Sequence, residues 1–94
     1  MSTASTGVIV QAESVVVSQD QNIVTYSGDV IVLIPEKEPF EMSLIKSALV
    51  TDEPNQFNLR IINRNMELLL LDPQITKVDK EIMITTSKLQ TTRI

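Results

Sequence analysis

Apolar and polar residues alternate with a period of two along several short stretches of the chain. Residues 40–44 read Phe-Glu-Met-Ser-Leu, and residues 57–61 read Phe-Asn-Leu-Arg-Ile. This period predicts β-strands with one face packed against the protein and the other face in water. Residues 30–34 and 66–71 are apolar at nearly every position, which predicts either strands that are covered on both faces or strands whose outer face meets something apolar. The four leucines 68–71 are expected to meet the core, a subunit contact or a lipid-contacting wall.

Residues that favour bends separate these stretches at regular intervals. Each intervening segment contains Gly, Pro, Asn or Asp, and the segments are 19–21, 27–29, 35–39, 52–56, 63–65, 72–74 and 79–81. No stretch shows a convincing helical period. Many short strands between regular turns are typical of sandwiches, barrels and jelly rolls. We therefore predict one all-β domain over residues 1–94, a β-jelly roll or open β-sandwich with stacked antiparallel rungs, in which residues 1–7 are an N-terminal tail.

The composition agrees with a β-rich chain. Ten Val, 11 Ile and 9 Thr residues occur among the 94, and β-branched side chains fit a pleated, half-buried surface better than a helix. With only three aromatic residues, Tyr26, Phe40 and Phe57, the core is expected to be aliphatic. A domain of this size buries only about 60 to 65% of its unfolded surface, so we expect modest stability unless neighbouring subunits cover more.

A weak internal similarity relates residues 10–17, 44–50 and 84–89, aligned on Ser14, Ser47 and Ser87. Repeats of this kind suggest stacked β-rungs, none of which can bury its apolar face alone. Chance similarity among Val, Ile and Ser explains so few matched positions equally well.

The charge pattern argues against a nucleic-acid partner. The net charge is −4, and the eight Lys and Arg residues are scattered, whereas a phosphate-binding surface needs clustered cations. No apolar stretch approaches the roughly 18 residues of a membrane helix, and residues 1–7 lack the features of a signal peptide. We expect a periplasmic location if a signal segment has been removed, and an intracellular or virion location otherwise.

The residue types that carry most catalytic chemistry are missing. The chain has no His and no Cys, which removes the usual proton-transfer group, thiol nucleophiles and common transition-metal ligands. Only two glycines are present, so there is no phosphate-cradling loop. The carboxylates at 36–41 and 52–53 are best explained as solvated turns, with a loosely held calcium ion as the alternative. We predict that the protein is not an enzyme and has no catalytic residue, metal or cofactor.

One segment resembles a known family. Residues 10–32 read Val-Gln-Ala-Glu-Ser-Val-Val-Val-Ser-Gln-Asp-Gln-Asn-Ile-Val-Thr-Tyr-Ser-Gly-Asp-Val-Ile-Val. This stretch, within residues 8–33, resembles the repeat of OstA-like domains, found in the lipopolysaccharide transport proteins of the bacterial periplasm. That repeat has a strand ending in Ala-Asp, a polar turn and a closing Gly-Asn-Val-x-Val. Ala12-Glu13, residues 20–22 and residues 28–32 match these elements in order.

The resemblance implies a β-jelly roll open at both ends, with acyl chains of lipid or lipopolysaccharide in an aliphatic interior. It also implies edge strands that join like domains end to end. Candidate groove residues, which could equally form an ordinary core, are Val30, Val32, Phe40, Met42, Leu44, Phe57, Leu59, Leu68 and Leu70. The predicted function is a lipid-binding or envelope-assembly module.

A structural subunit of a phage or virus particle, such as a tail, baseplate or capsid-decorating protein, is the alternative function. A symmetric assembly would supply the buried area that a short chain lacks, and both functions predict an oligomer or a larger assembly. The Thr-rich segment 82–94 is expected to be either a simple terminal strand or an edge that pairs with another chain.

Overall fold

The computed structural model describes residues 2–5, 7–18, 22–46 and 57–94. These residues form nine strands and no helix. The strands are β1 (Ser2–Ser5), β2 (Val8–Gln11), β3 (Ser14–Ser18), β4 (Ile23–Pro35), β5 (Glu41–Lys46), β6 (Phe57–Asn63), β7 (Met66–Leu71), β8 (Gln74–Val78) and β9 (Glu81–Arg93). They make a single antiparallel sheet in the order β1-β2-β4-β9-β7-β6-β5, with β3 beside β4 and β8 beside β9. The all-β prediction is confirmed, and the sheet is not closed into a barrel.

Most of the predicted bends separate strands. The breaks at 35–39, 63–65, 72–74 and 79–81 fall between strands, and Arg64, Asp72 and Asp79 have positive φ angles, which Asp adopts more readily than most residues. The breaks at 19–21 and 52–56 lie outside the described residues. The predicted break at 27–29 does not end a strand, because it lies in the middle of β4.

Two groups of four strands repeat the same arrangement. In β1–β4 and again in β6–β9, a hairpin is followed by a five-residue strand and then by a 13-residue strand. Equivalent positions are about 58 residues apart, since β2 and β7 begin at Val8 and Met66, and β4 and β9 end at Pro35 and Arg93. The two long strands pair with each other antiparallel. An approximate twofold axis therefore passes through the middle of this pair, and β5 lies outside the repeat.

This repeat is not the one that the sequence suggests. The similarity aligned on Ser14, Ser47 and Ser87 predicts spacings of 33 and 40, but Ser14 begins β3 and Ser87 lies inside β9. Ser47 lies outside the described residues. The predicted spacings are wrong because the two groups share the order and pairing of their strands but hardly any residue types at equivalent positions.

A bulge bends both long strands at the approximate twofold axis. The pairing of β4 with β9 shifts register between Ser27 and Val30, where Gly28 has a φ of 79° and Asp29 a φ of 45°. On β9, the buried Thr86 hydroxyl donates to the Leu71 carbonyl at 2.5 Å. A bulge bends its strand and increases the local twist, so the two halves of each long strand belong to two differently oriented parts of the sheet.

The bend folds the sheet over one aliphatic core. Val8 and Val10 of β2 belong to the same buried cluster as Leu59 and Ile61 of β6, although β2 and β6 are far apart in the strand order. Both repeats contribute side chains, and the cluster consists of Val8, Val10, Ala12, Tyr26, Val30, Val32, Ile34, Leu59, Ile61, Leu68, Leu70, Ile84 and Leu89. Tyr26 is its one aromatic member.

Four strands lie at edges of the folded sheet. Within the described residues, β1, β3, β5 and β8 each pair on one side only. The segment predicted as an N-terminal tail contains β1, which pairs with β2. The possibility that the C-terminal segment is an edge is wrong, because β9 pairs with β4 on one side and with β7 and β8 on the other. The described part of the chain includes no helix with the length and apolar character needed to cross a membrane.

Candidate functional site

Most of the candidate groove residues lie in the packed interior. Val30, Val32, Leu59, Leu68 and Leu70 belong to the buried cluster, and two further candidates, Phe40 and Met42, pack against it. The remaining two, Leu44 and Phe57, are 69% and 51% exposed. The Lys46 ammonium lies 5.1 Å from the centroid of the Phe57 ring, within range of a cation–π contact.

The alternation in β5 and β6 predicts the wrong face for three residues. Asn58, which the pattern places in water, is fully buried, whereas Leu44 and Phe57, which the pattern places inside, are exposed. Leu44 lies on the last strand of the sheet, where the core contacts extend only to Phe40 and Met42. The prediction that β7 is covered on both faces is confirmed, because Leu68, Leu69 and Leu70 are all buried.

A narrow gap lies between β2 and β7, inside the folded sheet. It has a volume of about 30 Å³ and is lined mainly by apolar side chains, together with Asn63 and Thr91. An open groove of about 390 Å³ adjoins it, because Met66 and Thr91 line both. The groove reaches the surface beside Arg93. The interior part has room for about one water molecule, so any larger ligand would have to occupy the open groove.

Four turns meet at the end of the sheet that is closest to this gap. Glu38, in the turn after β4, accepts hydrogen bonds from Asn63 Nδ2 at 3.0 Å and from Arg64 Nε at 3.3 Å. The same turn reaches β8 and β9, because the Glu36 N–H donates to the Lys80 carbonyl at 2.8 Å. A Cβ atom on Gly7 would lie 2.7 Å from Glu38 Oε1, so Gly7 allows the carboxylate to cover the turn before β2.

These contacts hold Glu38 in its charged form. The hydrogen bond from Asn63 lowers the pKa of Glu38 most, followed by the hydrogen bond from Arg64, while partial burial opposes both. Hydrogen bonds donated to a carboxylate favour its ionised state. We call Glu38, Asn63 and Arg64 the turn latch. Its partners lie within the fold, so it is a structural feature.

The apolar side chains most accessible to a partner lie largely on edge strands. On β3, Val16 and Val17 are 62% and 61% exposed, and on β8, Ile75 and Val78 are 52% and 49% exposed. All five residues of β8 are exposed. The sequence carries one signal for exposed apolar residues on β3, since residues 15–17 are three consecutive valines. Successive side chains of a strand point to opposite faces, and only one face of an edge strand can reach the core.

An open depression lies over the bulge and carries two carboxylates. Asp29 and Asp72 line it together with Gln74, Thr85 and Ser87, around a volume of about 500 Å³. Among the described residues, no three Asp or Glu side chains come close enough together to hold a metal ion.

No family model, no curated protein and no solved structure matches the chain. The similarity of residues 8–33 to the OstA-like repeat therefore remains a prediction.

Proposed function

We propose that this chain is a module of the β-jelly-roll type that joins other β domains through its edge strands. The observation that carries the proposal is the exposure of Val16 and Val17 on β3 and of Ile75 and Val78 on β8. Edge strands offer unpaired backbone groups that another strand can bind. Natural proteins usually protect such edges with charges, prolines or bulges, and β3 contains no charged residue.

The backbone of β3 is oriented for such pairing. The Ile94 N–H donates to the Asn65 carbonyl at 2.8 Å, in the register of the ladder between β7 and β9. Hydrogen-bonded and non-bonded pairs alternate along an antiparallel ladder, so Tyr26 directs its backbone groups towards β9. It follows that Val15, which lies opposite Tyr26, and Val17 direct their amide and carbonyl groups away from β4, towards the open edge.

Joining through edges suits both functions expected from the sequence. An envelope-assembly module of the lipopolysaccharide-transport type would join like domains, and a particle subunit would join copies of itself. In both cases the partner covers apolar side chains that a 94-residue chain leaves exposed. Backbone pairing supplies affinity, and the side chains on the two edges supply specificity.

Sedimentation velocity tests this proposal. The wild-type chain is expected to associate with increasing concentration, and Val16→Lys, which places a charge on the β3 edge, is expected to weaken that association at least tenfold. Gln11→Lys is the matched control, because Gln11 is exposed on β2, a strand that pairs on both sides. A wild-type chain that stays monomeric at millimolar concentration would contradict joining between copies.

The groove beside Met66 and Thr91 favours a second function, the holding of an acyl chain. Val17 and Val24 line this groove together with polar residues, and the exposed Arg93 also lines it. A groove that places apolar side chains beside a cation suits an amphiphile with an anionic head group. The tail would lie in the open groove and point towards the smaller interior gap.

Titration calorimetry with dodecanoate and dodecanol tests this second function. Dodecanoate is expected to bind more tightly than dodecanol, and Arg93→Gln is expected to remove that difference. Lys77→Gln removes a positive charge from β8, outside the groove, and should leave binding unchanged. If neither amphiphile binds the wild-type chain, the acyl-chain function is wrong.

A further inference from the structure

The internal repeat makes β3 and β8 equivalent edges at opposite ends of the molecule. Each is a five-residue strand that pairs with the first half of a 13-residue strand. Because β4 and β9 run antiparallel to each other, these first halves lie at opposite ends of the pair. The approximate twofold axis therefore relates the free edge of β3 to the free edge of β8.

Backbone geometry alone allows three pairings between two copies. Related edges can pair as β3 with β3, as β8 with β8, or as β3 with β8. The side chains must then decide between them, since the unpaired backbone groups are alike. The two edges differ in charge: β3 is uncharged and follows Glu13, whereas β8 contains Lys77.

Charge favours the unlike pairing. Two antiparallel copies of β8 centred on Thr76 would place both Lys77 side chains diagonally on one face, where like charges repel. When β3 and β8 align antiparallel along their full lengths, Val17 lies opposite Ile75, and Lys77 lies diagonal to Glu13. Diagonal neighbours are about 7 to 8 Å apart, within reach of long side chains. The pairing of β3 with β8 therefore provides both an apolar contact, between Val17 and Ile75, and an attraction between the opposite charges of Lys77 and Glu13.

Both edges also present the same face of the sheet. Val15 packs against the core, and Val17 is on the same side of β3. Ile75 pairs with the buried Ile84, so Ile75 and Lys77 lie on the corresponding side of β8. A β3–β8 pairing therefore continues the sheet with its inner face on one side.

We infer that copies of this chain associate head to tail, with β3 of one copy pairing antiparallel with β8 of the next. The inference rests on the proposed joining through edge strands and names its partner and its surfaces. A dimer formed in this way would keep one free β3 and one free β8. A head-to-tail contact of this kind forms an open chain of subunits unless its rotation closes a ring.

Two edge-blocked variants test the inference. Val16→Lys blocks β3 and leaves β8 available, whereas Ile75→Lys blocks β8 and leaves β3 available. Each variant alone is expected to be monomeric by native mass spectrometry. An equimolar mixture is expected to give a one-to-one dimer that grows no further. Because both variants introduce lysine, their two blocked edges cannot rescue each other through opposite charges.

The other outcomes are distinct. A dimer of Ile75→Lys alone would show pairing of β3 with β3, and a dimer of Val16→Lys alone would show pairing of β8 with β8; either overturns the head-to-tail inference. Wild-type association that neither variant weakens would place the contact on other edges, overturning the inference but not the proposed function. A monomeric wild-type chain would overturn the inference together with the proposed joining between copies.

Cysteine cross-linking gives a second measurement if a lysine variant fails to fold. The chain contains no native Cys, so Val16→Cys and Thr76→Cys chains each carry a single thiol. The full-length pairing places these positions opposite each other, at a Cα separation that a disulfide can span. Mixed chains are expected to form the hetero-disulfide dimer on mild oxidation. A predominance of either homodimer would overturn the inference.

Discussion

Asn63 donates hydrogen bonds from its Nδ2 to Glu38 Oε2 at 3.0 Å and to the Pro39 carbonyl at 2.7 Å. One buried amide thus joins the turn between β6 and β7 to the turn between β4 and β5. Since β5 and β6 also pair with each other, the turn latch fixes the path by which the chain crosses from β4 to β5.

Glu38→Gln is expected to lower the melting temperature at pH 7, because it removes the charge that accepts hydrogen bonds from Asn63 and Arg64. The pKa of Glu38 lies below its ordinary value of 4.5. Its stabilising effect is therefore present above pH 4.5 and is lost as the pH falls through the lowered pKa of the folded state. Thermal melts of both proteins between pH 7 and pH 2 should converge at the acid end.

Glu67→Gln is the control for that comparison. Glu67 pairs with Arg60 at 2.7 Å, with side-chain exposures of 22% and 44%, and exposed ion pairs contribute little to stability. Its melting temperature at pH 7 should remain closer to the wild-type value than that of Glu38→Gln. Equal effects of the two substitutions would contradict a special role for the turn latch.

Gly28→Ala is expected to destabilise the fold by about 1 to 2 kcal/mol or more, because a left-handed backbone is costly for residues with a Cβ. The φ of Gly28 is 79°, and an added Cβ would lie 2.5 Å from Glu13 Oε2. Urea denaturation should show a lower midpoint, while Ser27→Ala should remain near the wild-type midpoint. An unchanged midpoint for Gly28→Ala would mean that the bulge does not need this conformation.

The strands could be predicted from the sequence, but their arrangement could not. Alternation and turn residues place most strand boundaries, because these signals are local to a few residues. The bulge at Gly28 was predicted as a break, since a glycine with positive φ serves a turn and a bulge equally well. The repeat of about 58 residues leaves no sequence signal, because different apolar residues fill equivalent positions.

The candidate binding surface could not be predicted from the local sequence either. Exposure of Val16 depends on β3 lying at an edge, and strand order is set by contacts between distant residues. The burial of Asn58 likewise depends on what covers the outer face of β6, which the local pattern of residues 57–61 does not encode. Edge strands therefore become visible as a binding surface only once the sheet is assembled.

Thr86→Val is expected to destabilise the protein by about 1 to 3 kcal/mol, the cost of leaving a buried hydrogen-bonding group without a partner. The Thr86 hydroxyl donates to the Leu71 carbonyl and accepts from the Lys88 N–H at 3.3 Å. Thr85→Val, on the neighbouring position of β9, should change stability by less than about 0.5 kcal/mol. Chemical denaturation of the two variants checks this difference, and equal losses would contradict the role of Thr86.

Leu70→Ala is expected to cost about 2 to 5 kcal/mol, the range for truncating a buried leucine. Leu70 is fully buried in the shared core, whereas Leu44 is 69% exposed. Leu44→Ala should therefore cost much less in the same denaturation experiment. If the two substitutions cost the same, the core described here would be wrong.

Hydrogen–deuterium exchange at two protein concentrations tests the central claim, association through β3 and β8, most directly. As concentration rises, amide protection is expected to increase in Ser14–Ser18 and Gln74–Val78, the two strands that gain a backbone partner. Protection in β1 and β5 should stay constant. Association accompanied by new protection in β1 or β5, with β3 and β8 unchanged, would contradict the account.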